Sequence, residues 1–124
     1  MAKLAPQQQG PFWLRWEAAS QKVLCTLVDE TDLATFETGV ASPTIELSKN
    51  GGAYAAASDG TWAEISDGDY TITLDATDTD TQGPLMIRVV KSGTAAETRL
   101  LCYVSMDLEQ HHATAVRVRS LVRG

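Results

Sequence analysis

The sequence predicts an all-β chain folded as an antiparallel two-sheet sandwich, and three observations carry that reading. Thr44-Ile45-Glu46-Leu47-Ser48 alternates apolar with polar residues and runs into Asn50-Gly51-Gly52, which supplies the positive φ that a tight hairpin requires. Asp67-Gly68 punctuates the segments around Tyr70-Thr71-Ile72-Thr73-Leu74, and the turn-rich run Asp78 to Pro84 precedes Leu85-Met86-Ile87-Arg88-Val89-Val90. Short alternating strands at regular spacing, separated by turn residues, are what a sandwich needs.

From the amino terminus, Met1 to Gln9 is a polar arm with Pro6 and three glutamines; without periodicity of its own, it is expected to be disordered unless a partner holds it. Phe12-Trp13-Leu14-Arg15-Trp16 opens the sandwich. Alternation turns either Trp13 or the set Phe12, Leu14 and Trp16 inward, so aromatic surface is left outside. Gln21-Lys22 turns into Val23 to Val28, the strongest β run of the first half. Asp29 to Pro43 reads as a connection across one end, where Leu33, Phe36 and Val40 fit either a short helical turn or an irregular loop pinned by Phe36. Ile45 and Leu47 point inward. Ala53 to Ala57 is a weak partner strand suited to an edge, because alanine neither fills a core nor favours a pleated sheet. Trp62, Ile65, Tyr70, Ile72 and Leu74 form the central apolar series. Ser92-Gly93 and the alanines after it end the strand from Leu85, and Thr98 to Ser105 returns as the last strand. The expected organisation is an amino-terminal arm (1–9), a sandwich (10–105) and a basic carboxy-terminal arm (106–124).

With 124 residues the chain holds one domain, which buries roughly two-thirds of the surface its unfolded form exposes. Its 44% apolar and 21% charged content is that of a soluble globular protein. No apolar run approaches the roughly 20 residues needed to span a bilayer, and Met1 to Gln9 lacks a signal-peptide hydrophobic stretch, so synthesis in a cytoplasm and no membrane partner are expected. The net charge of -6 argues against a nucleic-acid partner. That charge is uneven: residues 1–109 hold all 16 acids and 7 of the 10 bases, whereas 110–124 hold only Arg117, Arg119 and Arg123. A basic tail on an acidic body invites docking onto an acidic neighbour, including another copy of the chain.

No constellation points to catalysis. Asp75, Asp78 and Asp80 before Gly83 open like a calcium loop, but Gln82 stands where a shorter ligand belongs. Val89 occupies the position of the closing bidentate acid, so aspartates bonding their own turn explain the cluster better. His111-His112 would point to opposite faces of a strand and have no third ligand in reach. Cys25 and Cys102 lie in apolar strand-like runs and could face each other across a core; a cytoplasmic compartment favours two buried thiols over a disulfide. There is no nucleophile elbow and no phosphate loop, so no enzyme activity, cofactor or metal is expected.

Val28-Asp29-Glu30-Thr31-Asp32-Leu33, then Glu37-Thr38-Gly39, then Glu46-Leu47-Ser48-Lys49-Asn50-Gly51-Gly52-Ala53-Tyr54 resemble a module of tailed-bacteriophage structural proteins. Its pattern is V-D-x-T-D-F, T-G-L, an x-S-K-D-G-G-A-F hairpin, a G-x-Y-x-L strand and a D-T-D-x-x-G-P-L turn. Gly68-Asp69-Tyr70-Thr71-Ile72 and Asp78-Thr79-Asp80-Thr81-Gln82-Gly83-Pro84-Leu85 supply the last two, and the similarity spans about residues 23 to 104. The resemblance implies an immunoglobulin-like sandwich and a virion origin, as in capsid-decorating proteins and in baseplate or fibre-anchoring proteins. Because the sequence ends soon after the module, a small separate protein is expected rather than a fibre.

The resulting expectation is a non-enzymatic virion structural protein made in the host cytoplasm. Foremost is a capsid decoration or cement protein bound to the major capsid protein, homo-oligomeric in the assembly. A tail or baseplate adaptor anchoring a fibre is the alternative, and a carbohydrate-binding module using the tryptophans is a third. The expected partner-binding residues are Trp13 and Trp16, as interface anchors, with Val116, Arg117, Val118, Arg119, Val122 and Arg123. These six alternate along the basic arm and suit strand addition to a neighbour's sheet edge.

Overall fold

The computed structural model describes residues 7–106 as eight strands with no helix among the described residues. They are β1 (Gln7–Arg15), β2 (Gln21–Thr26), β3 (Thr44–Lys49), β4 (Ala55–Ala56), β5 (Thr61–Ser66), β6 (Asp69–Leu74), β7 (Gly83–Lys91) and β8 (Ala95–Ser105). One sheet has the order β1-β8-β7-β3-β4 and the other β2-β6-β5. All pairs are antiparallel except β1 with β8. The order places β2, β6 and β5 opposite β8, β7 and β3, the immunoglobulin-like arrangement, with the first strand moved beside the last.

Alternation decides what is buried. Val23 and Cys25 of β2, Tyr70, Ile72 and Leu74 of β6, Leu85, Ile87 and Val89 of β7, and Leu100, Cys102 and Val104 of β8 fill the space between the sheets. Each large aliphatic or aromatic side chain so buried stabilises by roughly 1.5–3 kcal/mol. Of the first aromatic run, Leu14 is buried and Phe12 packs against the core, while Trp13 faces out. Ile65, expected in the central apolar series, is 57% exposed because it stands two residues after outward-facing Ala63 and three after Trp62, so alternation turns it out where the register shifts between Glu64 and Ser66. Both cysteines are free and buried.

Two hairpins use the turns the sequence signals. Asn50 and Gly51 (φ 48° and 82°) close β3 toward β4, with Gly52 N donating to Lys49 O at 2.9 Å. Asp67 and Gly68 (φ 52° and 90°) close β5 onto β6. Positive φ at both central residues matches the twist of the flanking strands. β4, at the sheet edge, is only two residues long, as its alanines imply.

The connection from Leu27 to Pro43 holds one α-turn, Leu33 N donating to Asp29 O at 3.0 Å, which does not continue as a helix because Leu33 takes φ 57°. Around it Asp29 accepts the N–H groups of Thr31 and Asp32, and Asp32 accepts those of Ala34 and Thr35, so short side chains satisfy the rest of the backbone locally. Phe36 ties the loop through its backbone, which bridges Val28, while its side chain is 60% exposed and adds nothing to the core. The anchors are buried Leu27 and Val40 together with Tyr70, whose hydroxyl donates to Glu37 O at 2.6 Å and accepts from Val40 N at 3.1 Å. Trp62 stacks on the Tyr70 ring at 4.4 Å and donates its indole N–H to Val40 O.

Two boundaries move. Gln7–Gln9 belong to β1, not to an arm, since they add beside Thr98–Leu100 of β8. Ala95 and Ala96 do not end a strand but begin β8, where both are buried. Two glutamines then close the side of the sandwich where β1 meets β2. The Gln9 amide donates to Thr26 O and accepts from Thr26 N, and the Gln21 amide does the same with Arg15 O and N, at 2.6–2.9 Å. Each amide completes the hydrogen bonding that a neighbouring strand would supply.

Glycine at position 68 is required twice over. Its φ is positive, and a Cβ there would stand 2.8 Å from Phe36 Cβ, whereas a Cβ at Gly51 meets nothing within 4 Å. Gly51→Ala should therefore cost about 1 kcal/mol from backbone strain alone, and Gly68→Ala about 2 kcal/mol or more. Urea denaturation of the two variants should rank them in that order.

Stability should also fall at both pH extremes. Asp29 is held below the usual carboxylate range by the N–H groups of Thr31 and Asp32, Asp32 by the Thr35 hydroxyl and N–H, Asp75 by the Ser58 hydroxyl and Asp80 by the Lys49 ammonium. A depressed folded pKa stabilises above the unfolded value of 3.8 and is lost as pH falls through the folded value, so urea midpoints should drop below about pH 4. Glu37, raised by its hydrogen bond with Asp29, works in the opposite direction. Burial pushes the Cys25 and Cys102 thiols up to about 12, so the unfolded chain ionises first and midpoints should fall again above pH 9.

Candidate binding surface on the five-stranded sheet

The inward residues of β7 and β8 fix which side chains the same strands show outside. Register then sets them in rows across the sheet. Trp13 of β1 lies beside Tyr103 of β8, which faces Pro84 of β7; Leu101 faces Met86, which faces Ser48 of β3; Arg99 faces Arg88, which faces Glu46. The first two rows are largely apolar and the third is charged.

Trp13 is 63% exposed, and its ring stacks on Tyr103 with centroids 5.0 Å apart and planes 28° from parallel. Stacking holds the indole in one orientation while leaving most of it to solvent. Next to it, Ser48, Gly51, Tyr54, Pro84, Met86 and Leu101 line a shallow hollow of about 290 Å³. Two like charges directly opposite would repel, yet Arg88 and Arg99 are each neutralised on the sheet. Arg88 donates through Nε and Nη2 to Glu46 Oε1, and Arg99 likewise to Glu97 Oε2. The Arg88 guanidinium also lies 4.2 Å from the Tyr54 ring centroid, which fixes that ring as a wall of the hollow.

Of the residues expected to bind a partner, Trp13 lies on this face. Trp16, 41% exposed, sits just past the end of β1, where its indole donates to Asp80 O at 3.0 Å. Val116, Arg117, Val118, Arg119, Val122 and Arg123 lie outside the described residues, as do His111 and His112. Trp62 is a structural anchor on Tyr70. Tyr54, Met86, Leu101 and Tyr103 were not singled out by sequence reasoning. The available signal is in β8, where Leu100-Leu101-Cys102-Tyr103-Val104 is apolar at both parities, so one parity must lie outside the core.

The acidic turn is structural. Asp78, 2% exposed, accepts N–H donors from Ser58, Asp59 and Asp75; Asp75 accepts from Asp78 N and the Ser58 hydroxyl; Asp80 pairs with Lys49 at 2.9 Å. No group of three or more His, Cys, Asp or Glu side chains among the described residues could hold a metal ion.

No protein-family model matches the chain, and no curated protein matches it. Among solved structures it is similar to titin domain M7, at 16% identity over 82% of this chain and 90% of that one, with a TM-score of 0.39. It is also similar to a titin M10–obscurin-like 1 complex, at 18% identity over 84% and 92% with a TM-score of 0.41, and to the Dscam1 Ig7 domain, at 16% over 82% and 93% with 0.34. These are distant likenesses of shape. The immunoglobulin-like sandwich rests on the strand order and register of the chain itself.

Trp13→Ala removes an exposed ring whose stacking contributes about 0.5–1.5 kcal/mol, so the urea midpoint should move little. Leu14→Ala, one residue on but buried, should cost about 2–5 kcal/mol. Equal losses for the two would show that Trp13 is part of the core.

Proposed function

We propose that the protein is a non-enzymatic virion assembly subunit, a capsid decoration protein that binds the major capsid protein of a tailed phage. The observation that carries this reading is the outer face of the five-stranded sheet, where Trp13, Tyr103, Pro84, Met86, Leu101 and Tyr54 form an aromatic and apolar surface with its arginines already paired. Rigid aromatic anchors surrounded by neutralised charges are what the centre of a protein interface requires. The phage-like hairpin turn fits as well, since Asn50-Gly51 closes β3 toward β4 beside Tyr54 on this face.

The basic segment 110–124 is the second binding element, offering Arg117, Arg119 and Arg123 to acidic neighbours. In this reading the sandwich face supplies a rigid docking surface and the arm extends contact to an adjoining subunit.

Purified protein added to capsids stripped of it should bind in regular array, visible as added density on the shell. Trp13→Ala with Tyr103→Ala should weaken that binding by about 10-fold or more. Deleting residues 110–124 should weaken it too and flatten its salt dependence. Density at the tail or baseplate instead would make the protein an adaptor, and glycan binding lost with Trp13 would make it a carbohydrate module.

A further inference from the structure

Two sheets have four lateral edges, and three of them are closed or short. The β1 and β2 edges face each other and are joined by the Gln9 and Gln21 amides. The β4 edge is two residues long. β5 remains: six residues, all exposed but Trp62, pairing on one side with β6 and with no second strand among the described residues. A long unpaired edge is a template for another strand unless charges or proline guard it.

The charges here are of one sign. Asp59, Glu64, Asp67 and Asp69 lie on or next to β5, and no lysine or arginine occurs between Lys49 and Arg88. Glu64 accepts from Gly39 N and is fixed in place at the edge, whereas Asp69, on β6, is turned toward β2 by the Thr26 hydroxyl. On the outer surface of this sheet Leu24, Thr71 and Ala63 form a cross-strand row, with Leu24 55% exposed and Ile65 57% exposed nearby.

Residues 116–123 of the same sequence match that edge in length, pattern and charge. Val116, Val118 and Val122 fall at one parity, and Arg117, Arg119 and Arg123 at the other. Laid along β5, the valines extend the row of Leu24 and Ala63, and the arginines face Asp59, Glu64 and Asp67. The segment follows β8, which lies next to β1 on the closed side of the sandwich, away from the β5 edge.

We infer that the basic segment of one copy adds as a strand to the β5 edge of the next, so that copies join head to tail. The inference rests on the assembly reading above and names the partner surface for the arm. Such a contact is heterologous, leaving each joined pair with one free edge and one free arm, and it therefore propagates along a ring or lattice.

The test is sedimentation velocity of the full chain over a range of concentrations, with thermal melts to confirm folding. Wild type should self-associate, more strongly at low salt. Glu64→Lys, an exposed change that reverses the charge the arginines face, should weaken association at least about 10-fold, and the triple change Arg117→Glu, Arg119→Glu and Arg123→Glu should do the same. Mixing the two variants should restore association, because the reversed arm then meets a lysine-bearing edge. A monomer at every concentration, association unaffected by either variant, or no recovery on mixing would each overturn the inference. Protection of the arm from protease that does not depend on concentration would also overturn it, by placing the arm on its own chain. Capsid binding, measured separately, distinguishes the two readings: a monomer that decorates capsids sinks only the head-to-tail contact, and a self-associating protein that ignores capsids sinks only the decoration role.

Discussion

Backbone hydrogen bonding at the sheet edges is the constraint on which this molecule turns. A narrow sheet of three strands leaves two of its strands as edges, and a five-stranded partner adds two more. Each edge carries amides and carbonyls that must meet water, a side chain or another strand. The chain answers differently at each. Glutamine amides occupy two edges, brevity protects a third, and on β5 acids stand along the edge without closing it. A residue such as Gln9 thus contributes to the fold in a way that neither its polarity nor its propensity announces.

The same economy governs the carboxylates. Sixteen acids against ten bases give a net charge of -6, and repulsion among them would loosen the loops unless it were offset. Asp29 and Asp32 spend their oxygens on the N–H groups of the loop after β2, while Asp75 and Asp78 tie the turn before β7 to Ser58 and Asp59. A carboxylate saturated with backbone donors is stabilised in its charged form and has little capacity left for a cation. The turn that opens like a calcium loop is therefore already complete with protein donors.

Strand positions and both positive-φ hairpins were legible in the sequence because period-two alternation and Asn-Gly or Asp-Gly pairs are local signals. Ile65 was misplaced because its apolar character was read without its parity: it stands three residues after Trp62, on the face of Ala63. The parallel pairing of β1 with β8 was invisible, since it joins residues near opposite ends of the chain. Of the candidate binding face, Trp13 was legible as an aromatic in a short alternating run, but which parity of that run faces out was decided only by the burial of Leu14. Met86, Leu101 and Tyr54 were not, because their proximity depends on three strands lying in one register.

What the molecule offers a partner follows from where its apolar surplus lies. A small-molecule site is a concave pocket that surrounds most of its ligand. Here the largest aromatic exposure is on a sheet face, the hollow beside Tyr54 is shallow, and the remaining unpaired backbone runs along an edge. A flat face suits another folded surface, because only an extended partner can cover Trp13, Met86 and Leu101 together. An edge suits another strand, because only a strand matches its hydrogen-bond spacing. The two lie on different sheets, so one copy of the sandwich can hold both kinds of neighbour without either blocking the other.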